Sequence, residues 1–283
     1  MRAVVFPSQG FETPGMGLGR ALADPEAGRL LDVVSGLVGI DARAVLERGG
    51  PELRRQEVLQ PLTLAVSLGS VHHLGGVGIV AGHSLGELGA IVLSGAITPD
   101  DALAFAAARG RIMGQGSQQR PGGIVAIRAS ATEVEAHLAA LPGLAVAARN
   151  TANSWSLCGP PDVLTGLSLR AATARITNAG AWHHPSHAAL APAVRALVDG
   201  LRITLPQLEI LSAHSGEPVT AASLPALLLA HLSTPVDWYG VILRLVQRGV
   251  TEVIVAEPSR QIASLVREVA PSLSVHSANA MPG

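Results

Sequence analysis

Aromatic residues are nearly missing from this chain: three Phe, three Trp and one Tyr amount to 2% of 283 residues. The core must therefore be assembled from Ala, Val, Leu and Ile. Charge is also sparse, with 14% charged residues and a net charge of -1, so there is no basic field of the kind nucleic-acid binding needs. The single cysteine, Cys158, rules out an internal disulfide and suits a reducing compartment. It lies in the apolar run Trp155 to Gly159 and is expected to be a buried structural thiol. No stretch reaches the roughly 18 apolar residues of a membrane span, and the N-terminus lacks the long apolar segment of a signal peptide. A cytoplasmic monomer without membrane contact is the expectation. What is abundant is aliphatic: the hydrophobic fraction of 48% marks a compact globular protein with a full core.

The most informative stretch is Ile79 to Gly95. The apolar run Gly78-Ile79-Val80-Ala81 reaches Gly82-His83-Ser84-Leu85-Gly86, and a helical pattern follows at once. This is a G-x-S-x-G nucleophile elbow in the strand–turn–helix context that its mechanics require. Small residues at Gly82 and Gly86 let strand and helix approach, and Ser84 is aimed at a helix N-terminus that favours developing negative charge.

Around the elbow the chain alternates strands and helices. Ala3–Phe6 reads as a buried strand, and helices are expected over Glu26–Val38 and Asp41–Arg48, from Gln60-Pro61, and from Pro99 through Arg109. The Gln/Gly/Ser/Pro-rich stretch Gly114–Gly123 reads as a linker. Beyond it come a strand (Ile124–Ala129), a helix (Thr132–Ala140), strands (Leu144–Asn150 and Ser154–Gly159), a helix (Pro161–Ala172) and a strand (Ala174–Ala179). That βαββαβ order is ferredoxin-like. The remainder reads as a strand at Glu209–Ser212, helices at Ser223–Leu232 and Trp238–Arg248, a strand at Glu252–Ala256 and a helix from Ser259. The fold class is α/β: a large α/β-hydrolase-like domain with a mainly parallel sheet (1–120 and 185–283) and an inserted ferredoxin-like small domain (121–184).

A serine nucleophile needs a base and an oxyanion hole. Ten histidines are available. His72 and His73 read as surface residues, and His83 points away from its neighbour on the turn. His183, His184 and His187 cluster in W-H-H-P-S-H-A-A-L, with no further ligand spaced for zinc, so no metal is expected.

Five stretches together make a more specific pattern: Phe6-Pro7-Ser8-Gln9-Gly10 with Gly15-Met16-Gly17, Gln60-Pro61, Gly82 to Glu87, Arg109-Gly110-Arg111 with Met113, and Pro185-Ser186-His187. In these the sequence resembles the malonyl-CoA:acyl carrier protein transacylase family and the acyltransferase domains of fatty acid and polyketide synthesis. The resemblance implies Ser84 as nucleophile and His187 as general base. It further implies a main-chain carbonyl near Thr234 to Trp238, at Asp237, orienting the histidine. The backbone N–H groups of Gln9 and Leu85 would form the oxyanion hole, and Arg109 would pair with the malonyl carboxylate. Malonyl-CoA and an acyl carrier protein are the implied substrates, with no bound cofactor.

The pattern is departed from at Ser8 and Phe11-Glu12, where the family reads F-P-G-Q-G-S-Q, at Glu257-Pro258-Ser259 in place of G-P-G, and at His184. Leu85 and Ser186 resemble malonyl-selective members. Two rivals are an acyl-thioester hydrolase on the same dyad, which has no need of Arg109, and a non-catalytic subunit, which has no need of the dyad.

Overall fold

The computed structural model describes residues 1–10, 12–175 and 180–281. Among them are eleven strands: β1 (Arg2–Phe6), β2 (Val77–Gly82), β3 (Gly123–Arg128), β4 (Ala145–Arg149), β5 (Ser154–Gly159), β6 (Thr173–Arg175), β7 (Glu209–Leu211), β8 (Pro218–Val219), β9 (Val236–Asp237), β10 (Glu252–Val255) and β11 (Ser274–Ser277). They form two sheets, ordered β11-β10-β1-β2-β7-β8 and β6-β3-β5-β4-β9.

The large sheet is parallel except for β8. Its strands are apolar on both faces, as a sheet covered by helices on both sides requires. Val4, Phe6, Val80 and Ile254 enter one core, and Ala3, Val5, Ile79 and Val253 enter the other. Because β1 and β2 are parallel neighbours with Phe6 opposite Gly82, the loops after both strands emerge side by side at the carboxyl edge. Ligand sites of open α/β sheets lie at that edge.

The small sheet has the ferredoxin-like order and is antiparallel through β6, β3, β5 and β4. Alternation along its strands is clear. Val125, Ile127, Trp155 and Leu157 pack under the helices Ala131–Ala140 and Pro161–Ser168, while Ile124, Ala126, Ser154 and Ser156 face a cleft. The fifth strand, β9, comes from late in the chain and pairs in parallel with β4.

Three expectations change. Gly114–Gly123 is mostly not a linker, because the helix Pro99–Gln119 runs through it. The absence of a side chain at Gly116 is used there: a Cβ would sit 2.8 Å from Leu190 Cδ1. Pro61 does not open its helix but lies inside Gln56–Val71. The strand expected over Ala174–Ala179 is described as Thr173–Arg175, its remainder lying outside the described residues. Among the described residues no helix is long and apolar enough to cross a membrane.

Candidate active site

Gly82 and Gly86 make the elbow possible. A Cβ on Gly82 would lie 2.1 Å from the carbonyl of Gly86, and one on Gly86 would lie 2.5 Å from the oxygens of Phe6 and Pro7. No side chain fits in either place, so the helix Gly86–Leu93 starts directly against the ends of β1 and β2. Ser84 is left at φ 53°, a left-handed conformation that non-glycine residues adopt at a cost.

The Ser84 hydroxyl lies 2.8 Å from Nε2 of His183, and His183 Nδ1 lies 2.8 Å from the main-chain oxygen of Thr234. A carbonyl only accepts, so Nδ1 carries the proton and Nε2 presents a lone pair to the hydroxyl. Burial, with His214 nearby, holds the His183 imidazole well below its usual pKa, so the ring is neutral at neutral pH. The start of β9 two residues after Thr234 anchors that carbonyl by pairing with Ala148 of β4.

This arrangement corrects two expectations. His187 is not the partner of Ser84. His184 caps the short helix Pro185–Leu190 by accepting the Ser186 N–H, and this puts His187 on the helix's first turn. There it is buried, its ring 5.3 Å from that of Trp182, and both ring nitrogens lack hydrogen bonds among the described residues. Asp237 does not orient the histidine either. Its N–H donates to the Ala213 oxygen and its carboxylate accepts from Gly240 N–H at the start of the helix Trp238–Gln247. The fixing carbonyl lies three residues earlier.

The Gln9 and Leu85 N–H groups donate to nothing else among the described residues. They flank Ser84, one on each of the adjacent loops. Ser8 has no left-handed backbone and donates its hydroxyl to the Gln9 oxygen at 3.0 Å, so the departure at Ser8 introduces no strain. Glu12 holds the loop from below, accepting the Gly10 N–H at 2.8 Å and the Thr63 hydroxyl at 3.3 Å. Burial raises its pKa. Phe11 lies outside the described residues.

Arg109 is 3% exposed and lines a narrow recess together with Ser84, Gln9, Leu85 and His183. It reaches this position because Gly110 lets its helix cross Gln56–Val71 closely; a Cβ there would lie 2.2 Å from the Gln56 oxygen. Its Nε–H donates to Gln60 Oε1 at 2.9 Å and Nη1 to His231 Nδ1 at 3.0 Å. Desolvation lowers its pKa to about 10, which leaves it cationic at neutral pH. On the other side Ser84 and His183 open onto a cleft of about 250 Å³ against the small sheet. Trp182 stands at the junction of recess and cleft.

The other histidines and the thiol take structural places. His83 donates its Nε2–H to Asn150 Oδ1, 2.9 Å away, and turns from Ser84 as expected. His184 bridges to the Gly143 oxygen. Cys158 is fully buried, its thiol pushed up to about 12 by burial. Glu87, His214 and His231 approach closely enough to suggest a metal. The donor set does not fit one: a metal-bound imidazole donates its second N–H, whereas the second nitrogen of His231 accepts from a guanidinium. His231, which the sequence alone did not single out, lacks any motif; only its position four residues before Pro235 was available as a signal.

The acyl transferase domain family matches residues 5–269. Malonyl CoA-acyl carrier protein transacylase of Mycobacterium tuberculosis is 31% identical over 281 residues, covering 94% of this chain and 92% of that protein. The crystal structure of MCAT from Mycobacterium tuberculosis superposes with a TM-score of 0.89 at 29% identity, covering 98% of this chain and 96% of the other. A type II PKS malonyl-transacylase in complex with its acyl-carrier protein has the same fold, with a TM-score of 0.91 at 21% identity over 99% of this chain and 96% of that one.

Proposed function

The chain belongs to the acyl transferase domain family, and on that footing we propose that it moves a malonyl group from CoA to the phosphopantetheine thiol of an acyl carrier protein. The observation that carries the reading is the Ser84–His183 pair standing between a recess that holds a buried cation and an open cleft. The cation lining the first is what a carboxylate-tipped acyl group needs, and the second has room for a thioester arm.

In the first half-reaction the malonyl carboxylate pairs with Arg109, and the thioester oxygen accepts from the Gln9 and Leu85 N–H groups. His183 Nε2 takes the Ser84 proton as Oγ bonds to the carbonyl carbon. The tetrahedral intermediate collapses, the C–S bond breaks, and His183 returns the proton to the CoA sulfur. In the second half the carrier thiol gives its proton to His183, its sulfur attacks the Ser84 ester, and Oγ leaves with that proton. The Thr234 carbonyl holds the imidazole in the tautomer both steps need, in place of a triad carboxylate. No bound cofactor enters either step.

The same reading takes residues 121–184 as the small domain and 1–120 with 185–283 as the catalytic one, acting as a cytoplasmic monomer. Intact-protein mass spectrometry after mixing with malonyl-CoA tests the reading: wild type gains a malonyl mass and Ser84→Ala does not. A malonyl adduct that persists in Ser84→Ala, or that maps to Cys158, overturns it.

A further inference from the structure

Behind Arg109 lies a chain of buried groups that the transfer reaction itself does not use. Glu87 is three residues after the nucleophile, in the first turn of the elbow helix, and fully buried. Its Oε1 accepts the Ala213 N–H at 2.6 Å and its Oε2 meets His231 Nε2 at 2.5 Å. The other nitrogen of His231 meets Arg109 Nη1.

The proton positions follow from donor chemistry alone. A guanidinium only donates, so His231 Nδ1 must present its lone pair. The one proton of the neutral ring then sits on Nε2, where it donates to Glu87. Desolvation, first of its causes, drives the His231 pKa down to about 3, which keeps the ring neutral. Both Glu87 oxygens accept an N–H, and two donated hydrogen bonds favour the carboxylate against the burial that raises its pKa. The result is a buried cation and a buried anion joined through a neutral imidazole of fixed tautomer. His214 faces the same carboxylate at 3.9 Å, its Nδ1–H held by the Pro235 oxygen.

We propose that Glu87 and His231 are positioning residues that set the guanidinium of Arg109, and through it the preference for a dicarboxylic acyl group. With Nε–H committed to Gln60 and one Nη1–H to His231, the remaining Nη1–H and both Nη2–H groups have no partner among the described residues. A carboxylate needs a pair of parallel donors of that kind. If Glu87 loses its charge, the His231 tautomer can invert, and two N–H groups then oppose each other at Arg109. The inference rests on the malonyl reading above, since it concerns the residue that would hold the malonyl carboxylate.

The test is the steady-state kinetics of the full chain with malonyl-CoA and acetyl-CoA for Glu87→Gln, His231→Leu and His231→Asn. Glu87→Gln and His231→Leu should raise the malonyl KM on the order of 10-fold or more, the cost of misplacing a charge-assisted contact. The acetyl kcat/KM should change less than about 2-fold, because no carboxylate is then read. His231→Asn offers an acceptor near the place of Nδ1 and should recover most of the malonyl KM. The ¹⁵N spectrum of His231, which requires no activity, should report the Nε2–H form in wild type and its loss in Glu87→Gln. Equal losses for both acyl groups, no rescue by Asn, or a wild-type Nδ1–H form overturns the proposal. Those results with malonyl still loaded on Ser84 of the wild type leave the transferase reading intact; a wild type that takes no malonyl overturns both.

Discussion

Ser84 and His183 both carry left-handed backbone, at φ 53° and 67°, and their side chains meet at 2.8 Å across 99 residues of sequence. Two unfavourable backbone conformations that converge on one hydrogen bond are a pattern associated with functional sites, where surrounding packing offsets the strain. The glycine contacts at Gly82 and Gly86 supply that packing on the serine side, and the Thr234 carbonyl supplies it on the histidine side.

The pairing separates two histidines that lie four positions apart. His183→Ala should slow acylation of Ser84 by a factor on the order of 10²–10⁴, the usual worth of a general base. His187→Leu should leave the rate within about 3-fold, since its ring nitrogens make no hydrogen bond among the described residues and an apolar replacement strands no partner. Single-turnover acylation followed by mass spectrometry measures both. A larger loss at His187 than at His183 contradicts the geometry.

The elbow and Arg109 were legible in the sequence because each sits in a short contiguous motif whose neighbours, Gly82, Gly86 and Gly110, are needed for close backbone contacts. The base was not, because P-S-H is a local match in a run holding three histidines. A physical signal was present: Pro185 suits the first position of a helix, which places His187 on a packed helical turn and leaves His183 on the free loop. The orienting carbonyl was legible as lying within Thr234 to Trp238 but was assigned to Asp237 instead of Thr234, because β9 is two residues long and has no periodicity to read. The helix through Gly116 was missed because glycine lowers helix propensity, while its packing against Leu190 reverses the outcome. Glu87 and His231 meet across 144 residues, a contact no local pattern encodes.

The state of His183 predicts the pH profile of acylation. Burial holds its pKa well below 6.5, so the base is already deprotonated when the pH falls through 6.5. The single-turnover rate should stay flat through that value and decline only at lower pH. An inflection at 6.5 or above in wild type contradicts the buried, neutral base.

Acid stability follows from the same physics at His83. Its folded pKa is lowered from 6.5 to about 4, chiefly by burial. Between those values the unfolded chain binds the proton and the folded chain does not, so the contribution is complete above pH 6.5 and lost as pH falls toward 4. The drop corresponds to about 3 kcal/mol. Glu87 acts with the opposite sign, since burial raises its carboxyl pKa and a raised carboxyl pKa costs stability as pH rises. His83→Gln keeps a donor for Asn150 and removes only the histidine contribution. Urea denaturation between pH 7 and 4 should therefore show a shallower acid decline in the variant. An unchanged decline means His83 does not titrate as a buried ring.

The most direct measurement is the ratio of malonyl to acetyl transfer onto the carrier thiol, in wild type and in Arg109→Ala. A malonyl carboxylate brought out of water needs a paired cation, and Arg109 lines the recess beside Ser84. Removing it should lower malonyl transfer by a factor on the order of 10²–10³, while acetyl transfer holds or improves. Arg109→Lys should recover only part, because a point charge cannot replace two parallel donors. The account predicts a ratio that collapses in Arg109→Ala; a ratio that stays where it is in wild type contradicts it.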